Sequence, residues 1–230
     1  MSSPSAAAAQ PQQKRLPRKI TALVVLAAAI VGIGIGVIVV RLTEPASPSP
    51  TSVGAAAFTW PPGKRPAPAF SLSDQNGTGF SLASLRGRPV IVTFIDPLCR
   101  SECPLETKVL DQALAKTPAD SRPAVVAVSV NQWGNARSNL VADRRNWQLG
   151  PEWRWAIGSP SDLAAVWRSY SIGVQATTKV IAGVTVHDIT HTEAAYLIDS
   201  TGHERALFVW PYGAPEVEQA LASLDPGSSA

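Results

Sequence analysis

The chain has 230 residues, of which 45% are hydrophobic and 16% charged, with a formal net charge of +3. With seven tryptophans among them, that is enough apolar sequence for one domain with a sizeable core and a tail beside it. The small net charge, with no basic stripe interleaved with aromatics, excludes nucleic-acid binding of the electrostatic kind.

Residues 1–13 are mostly Ala, Ser, Pro and Gln with almost nothing to bury, and residues 1–19 read as a disordered cytoplasmic tail. Residues 20–40, ITALVVLAAAIVGIGIGVIVV, carry no charge. At about 1.5 Å per residue such a helix crosses a hydrocarbon core of roughly 30 Å. Lys14, Arg15, Arg18 and Lys19 precede the run and only Arg41 follows closely, an excess that holds the N-terminus in the cytoplasm. The expectation is a single-pass cell-membrane anchor with the rest of the chain extracytoplasmic. A cleaved signal peptide is the competing reading, but its apolar region usually runs about 7 to 15 residues. No cysteine lies just beyond the run, which excludes a lipid-modified cysteine anchor. Gly32 and Gly36 form one small-xxx-small pair, a basis for a weak helix-mediated dimer. Residues 41–68, with Pro45, Pro48, Pro50, Pro61, Pro62, Pro66 and Pro68 among Ser and Ala, read as a stiff extended linker.

Patterning changes at Phe70. FSLSDQNGTGFSL places alternating apolar residues around Asn76-Gly77 and predicts a hairpin. PVIVTFI, residues 89–95, is a β-branched and aromatic run suited to a central strand covered on both faces. Beyond Pro104, LETKVLDQALAK has helical spacing, and residues 124–130 form a second buried strand. Helical stretches at about 136–148 and 161–169 flank a short WRWAI strand; AAYLID, a Thr201-Gly202 turn, RALFVW and a helix at about 214–224 complete the chain. Alternating strands and helices followed by a terminal hairpin and helix predict an α/β thioredoxin-like domain over residues 69–226, a central mixed sheet flanked by helices.

Both cysteines lie in FIDPLCRSECP, between a buried strand and a helix. At i and i+4, Cys99 and Cys103 can turn their sulfurs to one side, where a helix N-terminus favours the thiolate. Such a pair serves as a redox couple or as soft metal ligands. A purely structural disulfide would close a five-residue loop worth only about 2 kcal/mol, little for a domain with this much core. The common oxidoreductase spacing is Cys-x-x-Cys, and here three residues intervene.

Cys99, Cys103 with Pro104, and His191 followed by Tyr196-Leu197-Ile198-Asp199-Ser200-Thr201-Gly202 together resemble the Sco/SenC family of copper proteins that assist cytochrome c oxidase assembly. FSLSDQNGTGFSLASLRGRPVIVTF and GSPSDLAAVWRSYSIGV extend the similarity over nearly all of residues 69–224. The resemblance implies a copper site of Cys99, Cys103 and His191, a Cys99–Cys103 disulfide when oxidised, and as partners a copper donor and an oxidase copper-centre subunit. His187 and His203 lack the frame that marks His191. Two thiolates and an imidazole make a soft three-ligand set for Cu(I), and Cu(II) is also held strongly by nitrogen and sulfur. Zinc accepts the same atoms but would keep an open fourth position.

The chain departs from the family pattern at Arg100, Ser101 and Glu102, where the residues between the cysteines are usually apolar or proline-containing. It departs again at Asn131, where an acid is common, and at Asp96-Pro97 in place of an aromatic lead-in. Arg100 reads either as a thiolate-stabilising charge or as a solvated one. Asp188 and Glu193 flank His191, and either could orient its ring. The leading expectation is a membrane-anchored extracytoplasmic copper chaperone. The alternative is a thiol-disulfide oxidoreductase in which Cys99 and Cys103 are catalytic and His191 is dispensable.

Overall fold

The computed structural model describes residues 56–224. The expected tail and the expected membrane span, residues 20–40, lie outside the described residues, among which no helix is long and apolar enough to cross a membrane.

A six-stranded mixed sheet is the backbone of the domain, in the order β1-β10-β9-β4-β5-β6. Its strands are β1 (Phe58–Thr59), β4 (Val90–Ile95), β5 (Ala124–Ser129), β6 (Trp153–Ala156), β9 (Ala194–Ile198) and β10 (Glu204–Val209). Strands β4, β5 and β6 run parallel, whereas β9 is antiparallel to β4 and to β10. The continuous apolar runs at 90–95 and 124–129 occupy the centre, where every residue is buried. Strand periodicity divides them between two cores. Ile91, Ile95, Val125 and Ala127 pack toward helices α1 (Glu102–Lys116), α2 (Arg137–Asn146) and α4 (Ala214–Ala222). Val90, Val92, Phe94, Val126 and Val128 pack toward α3 (Pro160–Ser169) and the hairpin of β2 (Ser71–Ser73) and β3 (Gly79–Ser81).

The predicted β2–β3 hairpin forms around a five-residue loop held by Asp74, whose carboxylate accepts the Asn76 and Thr78 backbone N–H groups, while Gly77 takes φ +81°. The hairpin of β7 (Val174–Ile181) and β8 (Val184–His191) has no counterpart in the expected element order. Its residues are mostly exposed, so its sequence lacks the one-sided apolar alternation that marks a half-buried strand.

The expected linker, residues 41–68, needs correction from residue 58 onward. Phe58 and Thr59 pair with Leu207 and Ala206, Ala67 N–H donates to Gly202 O at 3.0 Å, and Arg65 pairs with the buried Glu204. These prolines suit a sheet edge as well as a linker, because an edge strand need not donate every N–H.

Antiparallel pairing of β9 with β4 decides where chemistry can occur. The C-terminal end of β4 and the N-terminal end of β9 fall together, with Thr93 opposite Ala195. Parallel pairing of β5 with β4 brings Asn131 to the same end. Just inside it, Thr93 donates to Glu106 Oε1 at 2.6 Å and Tyr212 donates to the same oxygen at 2.9 Å, while Oε2 has no partner. Burial pushes the Glu106 carboxyl from its ordinary 4.5 up to about 8, against the two hydrogen bonds that lower it.

A folded state that keeps this proton while the unfolded chain releases it binds more protons between those two pKa values, so stability falls as pH rises through that window. Glu106→Gln retains a neutral acceptor for Thr93 and Tyr212 and should remove most of that fall, roughly 3 kcal/mol between about pH 5 and pH 8. Urea unfolding midpoints across that range check this; equal slopes in both proteins would contradict it.

Candidate metal centre

Strand β4 ends at Ile95, and the chain turns sharply at Asp96. Its carboxylate accepts the Leu98 N–H at 2.7 Å, and its carbonyl accepts the Cys99 N–H at 3.1 Å. Asn131, arriving from β5, donates its side-chain amide to the same Asp96 carboxylate at 2.9 Å. The two departures at 96 and 131 are thus one feature: acid and amide pair across the loops, with a single carboxylate between them.

Helix α1 begins at Glu102, so Cys103 lies in its first turn. The Cys103 N–H, unpaired within the helix, donates to Cys99 Sγ at 3.4 Å, and Ser101 Oγ lies 3.6 Å from that sulfur. Both cysteines are free thiols. The Cys99 thiol is lowered from 9.0 to about 4, first by the hydrogen bond from the Cys103 thiol and then by these backbone and hydroxyl donors, against a burial effect that raises it. Cys103, fully buried, is pushed up for the reciprocal reasons: it donates to Cys99, lies out of water, and faces the Cys99 charge. One sulfur is a half-buried anion and the other a thiol behind it.

Of the two readings of Arg100 the structure favours the solvated charge, its side chain being 61% exposed. Its guanidinium donates to Cys99 O at 2.7 Å and Pro97 O at 3.1 Å and lies 3.3 Å from Asp143 Oδ1 on α2, so it ties down the loop backbone while the rest of the side chain faces solvent. Asp143 is buried, which pushes its carboxyl up to about 6 despite the arginine.

His191 ends β8, immediately before β9. The base of the arm is clamped by Thr192 N–H donating to Gly173 O at 2.9 Å and Gly173 N–H donating to Thr192 Oγ1 at 3.1 Å. His191 Nδ1 lies 3.1 Å from Thr192 O. A carbonyl oxygen only accepts, so Nδ1 carries the proton and Nε2 keeps its lone pair. That lone pair faces Cys103 Sγ at 3.9 Å. Burial lowers the His191 pKa, which favours the neutral ring that a metal needs.

The structure therefore brings Cys99, Cys103 and His191 to one end of the sheet. Within it, Cys103, His191 and Glu193 offer ligand atoms that all lie within 4.8 Å of one another, while Cys99 falls outside this trio. Burial, with the charges of Glu102 and Cys99, raises the Glu193 carboxyl. The sequence places Glu193 beside the histidine, yet nothing in its pattern separates it from Asp188. Asp188 pairs instead with Lys179 at 3.1 Å. His187 stacks on Trp133 with ring centroids 3.8 Å apart, and His203 lies by Asp199 and Thr201. A soft sulfur pair, an imidazole with a fixed free lone pair and a carboxylate suit a thiophilic metal.

The SCO1/SenC family profile matches residues 61–224, and the chain belongs to that family. The copper-bound structure of Bradyrhizobium japonicum ScoI is similar at 23% identity and TM-score 0.58, covering 69% of this chain and 96% of that one. The copper-bound structure of yeast Sco1 gives 17% identity and TM-score 0.60, covering 71% and 92%. An apo Sco1 from Thermus thermophilus gives 22% identity and TM-score 0.59, covering 70% and 92%. At these identities the structures establish the thioredoxin-like Sco fold. A comparison with curated proteins gives no match.

The thiolate at Cys99 sets a pH signature. Its alkylation rate should hold nearly constant from about pH 8 down to about pH 5 and halve near pH 4, with Cys103 unmodified. Peptide-resolved iodoacetamide labelling measures it; a rate that already falls below about pH 8 would contradict a depressed thiol.

Proposed function

We propose that this chain binds copper through Cys99, Cys103 and His191 and hands it on to a copper centre, the oxidase copper-centre subunit being the client that family membership suggests. The observation that carries this reading is the His191 imidazole, held in the Nδ1–H tautomer by Thr192 O with Nε2 aimed at Cys103 Sγ. An oxidoreductase needs no such ligand. Copper is cargo here. The two sulfurs and Nε2 would hold Cu(I), for which few-coordinate soft sites are suited. The uncharged residues 20–40 support a single-pass membrane anchor, with residues 1–19 cytoplasmic and the folded domain extracytoplasmic. Outside the cytosol, oxidation of Cys99 and Cys103 to a disulfide would remove two ligands at once, so loading requires the reduced pair.

A second reading rests on a different observation. A depressed Cys99 thiolate at a helix N-terminus with a protonated Cys103 behind it is also the arrangement of a thiol-disulfide reductase, in which Cys99 attacks and Cys103 resolves.

Competition of the reduced full-length chain with a Cu(I) chelator separates them. The copper reading expects one Cu(I) per chain, binding lost in Cys99→Ser and Cys103→Ser, and about 10- to 100-fold weaker binding in His191→Ala. Copper binding indifferent to His191, with disulfide reductase activity intact in His191→Ala, would establish the second reading instead.

A further inference from the structure

Glu193 lies at this end of the sheet in a position that the three-ligand site does not explain. Its backbone is fixed, since Glu193 O accepts the Trp210 N–H at 3.1 Å where β10 leaves the sheet. Its side chain is half-buried, and among the described residues no hydrogen bond or ion pair engages its carboxylate. The neighbouring carboxylate differs: Glu102 Oε2 accepts the Trp210 ring N–H at 3.1 Å. A partly desolvated, unpaired carboxylate beside a thiolate and a second carboxylate gains from a cation more than from any group the fold supplies.

The carboxylate also lies in a ligand set. Its oxygen, Cys103 Sγ and His191 Nε2 are mutually within 4.8 Å, the span of donors around a single metal ion, and the histidine tautomer leaves Nε2 free. Two overlapping donor sets therefore share Cys103 and His191. One adds the Cys99 sulfur and is soft. The other adds a hard carboxylate oxygen and suits a divalent ion of intermediate softness.

The geometry points to Glu193 as a further metal ligand that raises the affinity of this site for divalent copper, Cu(II), relative to the monovalent ion. The inference rests on the copper-site reading above and adds to it a carboxylate donor that shifts the balance between the two oxidation states. Monovalent copper gains little from a carboxylate, whereas a divalent ion gains both a hard donor and a compensating charge. Glu193 thus sets the ratio of the two affinities rather than the Cu(I) affinity itself.

The test uses the reduced full-length chain with two probes. Cu(I) is measured by chelator competition. Co(II) serves as the divalent probe, because it reports its ligands through its visible bands and does not oxidise the thiols. Glu193→Gln should weaken Co(II) binding about tenfold or more and shift its bands, while Cu(I) affinity stays within about threefold. Glu102→Gln, which removes a neighbouring charge but no member of the donor trio, should change either ion by less than about threefold. Equal loss of both ions in Glu193→Gln, or an equal Co(II) loss in Glu102→Gln, would reduce Glu193 to a background charge and overturn the inference, as would unchanged Co(II) binding and bands. Failure of the underlying reading shows separately, as a wild-type chain that does not bind Cu(I).

Discussion

Cys103 Sγ and His191 Nε2 approach to 3.9 Å across 88 residues of sequence, and much of the domain serves to hold that contact. The sulfur is positioned from one side by β4 and the first turn of α1, the nitrogen from the other by the clamped base of the β7–β8 arm and the start of β9. Antiparallel pairing of β9 with β4 makes the two meet. Had β9 run parallel to β4, the residues that precede it would emerge at the opposite end of the sheet, about a strand length away.

Charge is the second constraint. Asp96, Asp143, Glu102, Glu193 and the Cys99 thiolate gather around this end, and the cation paired there, Arg100, is spent on loop carbonyls and Asp143. Such a concentration would be costly in a site meant to stay empty. It is well matched to a cation, which neutralises the thiolate and relieves several carboxylates together. The amide at 131 fits the same balance, since it supplies a donor to Asp96 where a second acid would have added repulsion.

The sequence carried the domain's frame because its central strands are unbroken apolar runs and its helices are amphipathic: 90–95, 124–129, α1 and α4 fall where those runs and the helical spacing place them. The β7–β8 hairpin is hard to read because its strands are mostly exposed and the half-buried face of β8 carries His187, Ile189 and His191 rather than a run of apolar residues. The linker is shorter than its composition suggests because proline reads alike in a tether and at a sheet edge, where Pro66 bridges to His203. At the site, Cys99, Cys103 and His191 were recognisable from spacing and family resemblance. The parts visible only in three dimensions were the tautomer of His191, the tie from Arg100 to the buried Asp143, the buried Glu106 and the ligand position of Glu193. The last three depend on which element lies opposite, a property of the strand order that local sequence does not encode, and the tautomer depends on a backbone geometry at Thr192 that residue type alone does not fix.

The central claim is that one metal ion is held by two sulfurs and one histidine nitrogen contributed from opposite sides of the sheet end. X-ray absorption spectroscopy of the full chain loaded with one equivalent of Cu(I) measures that directly. The account predicts a first shell of two sulfurs and one imidazole nitrogen, with the imidazole signature absent from His191→Ala. A shell without both sulfurs, or an imidazole signature that survives His191→Ala, would contradict it.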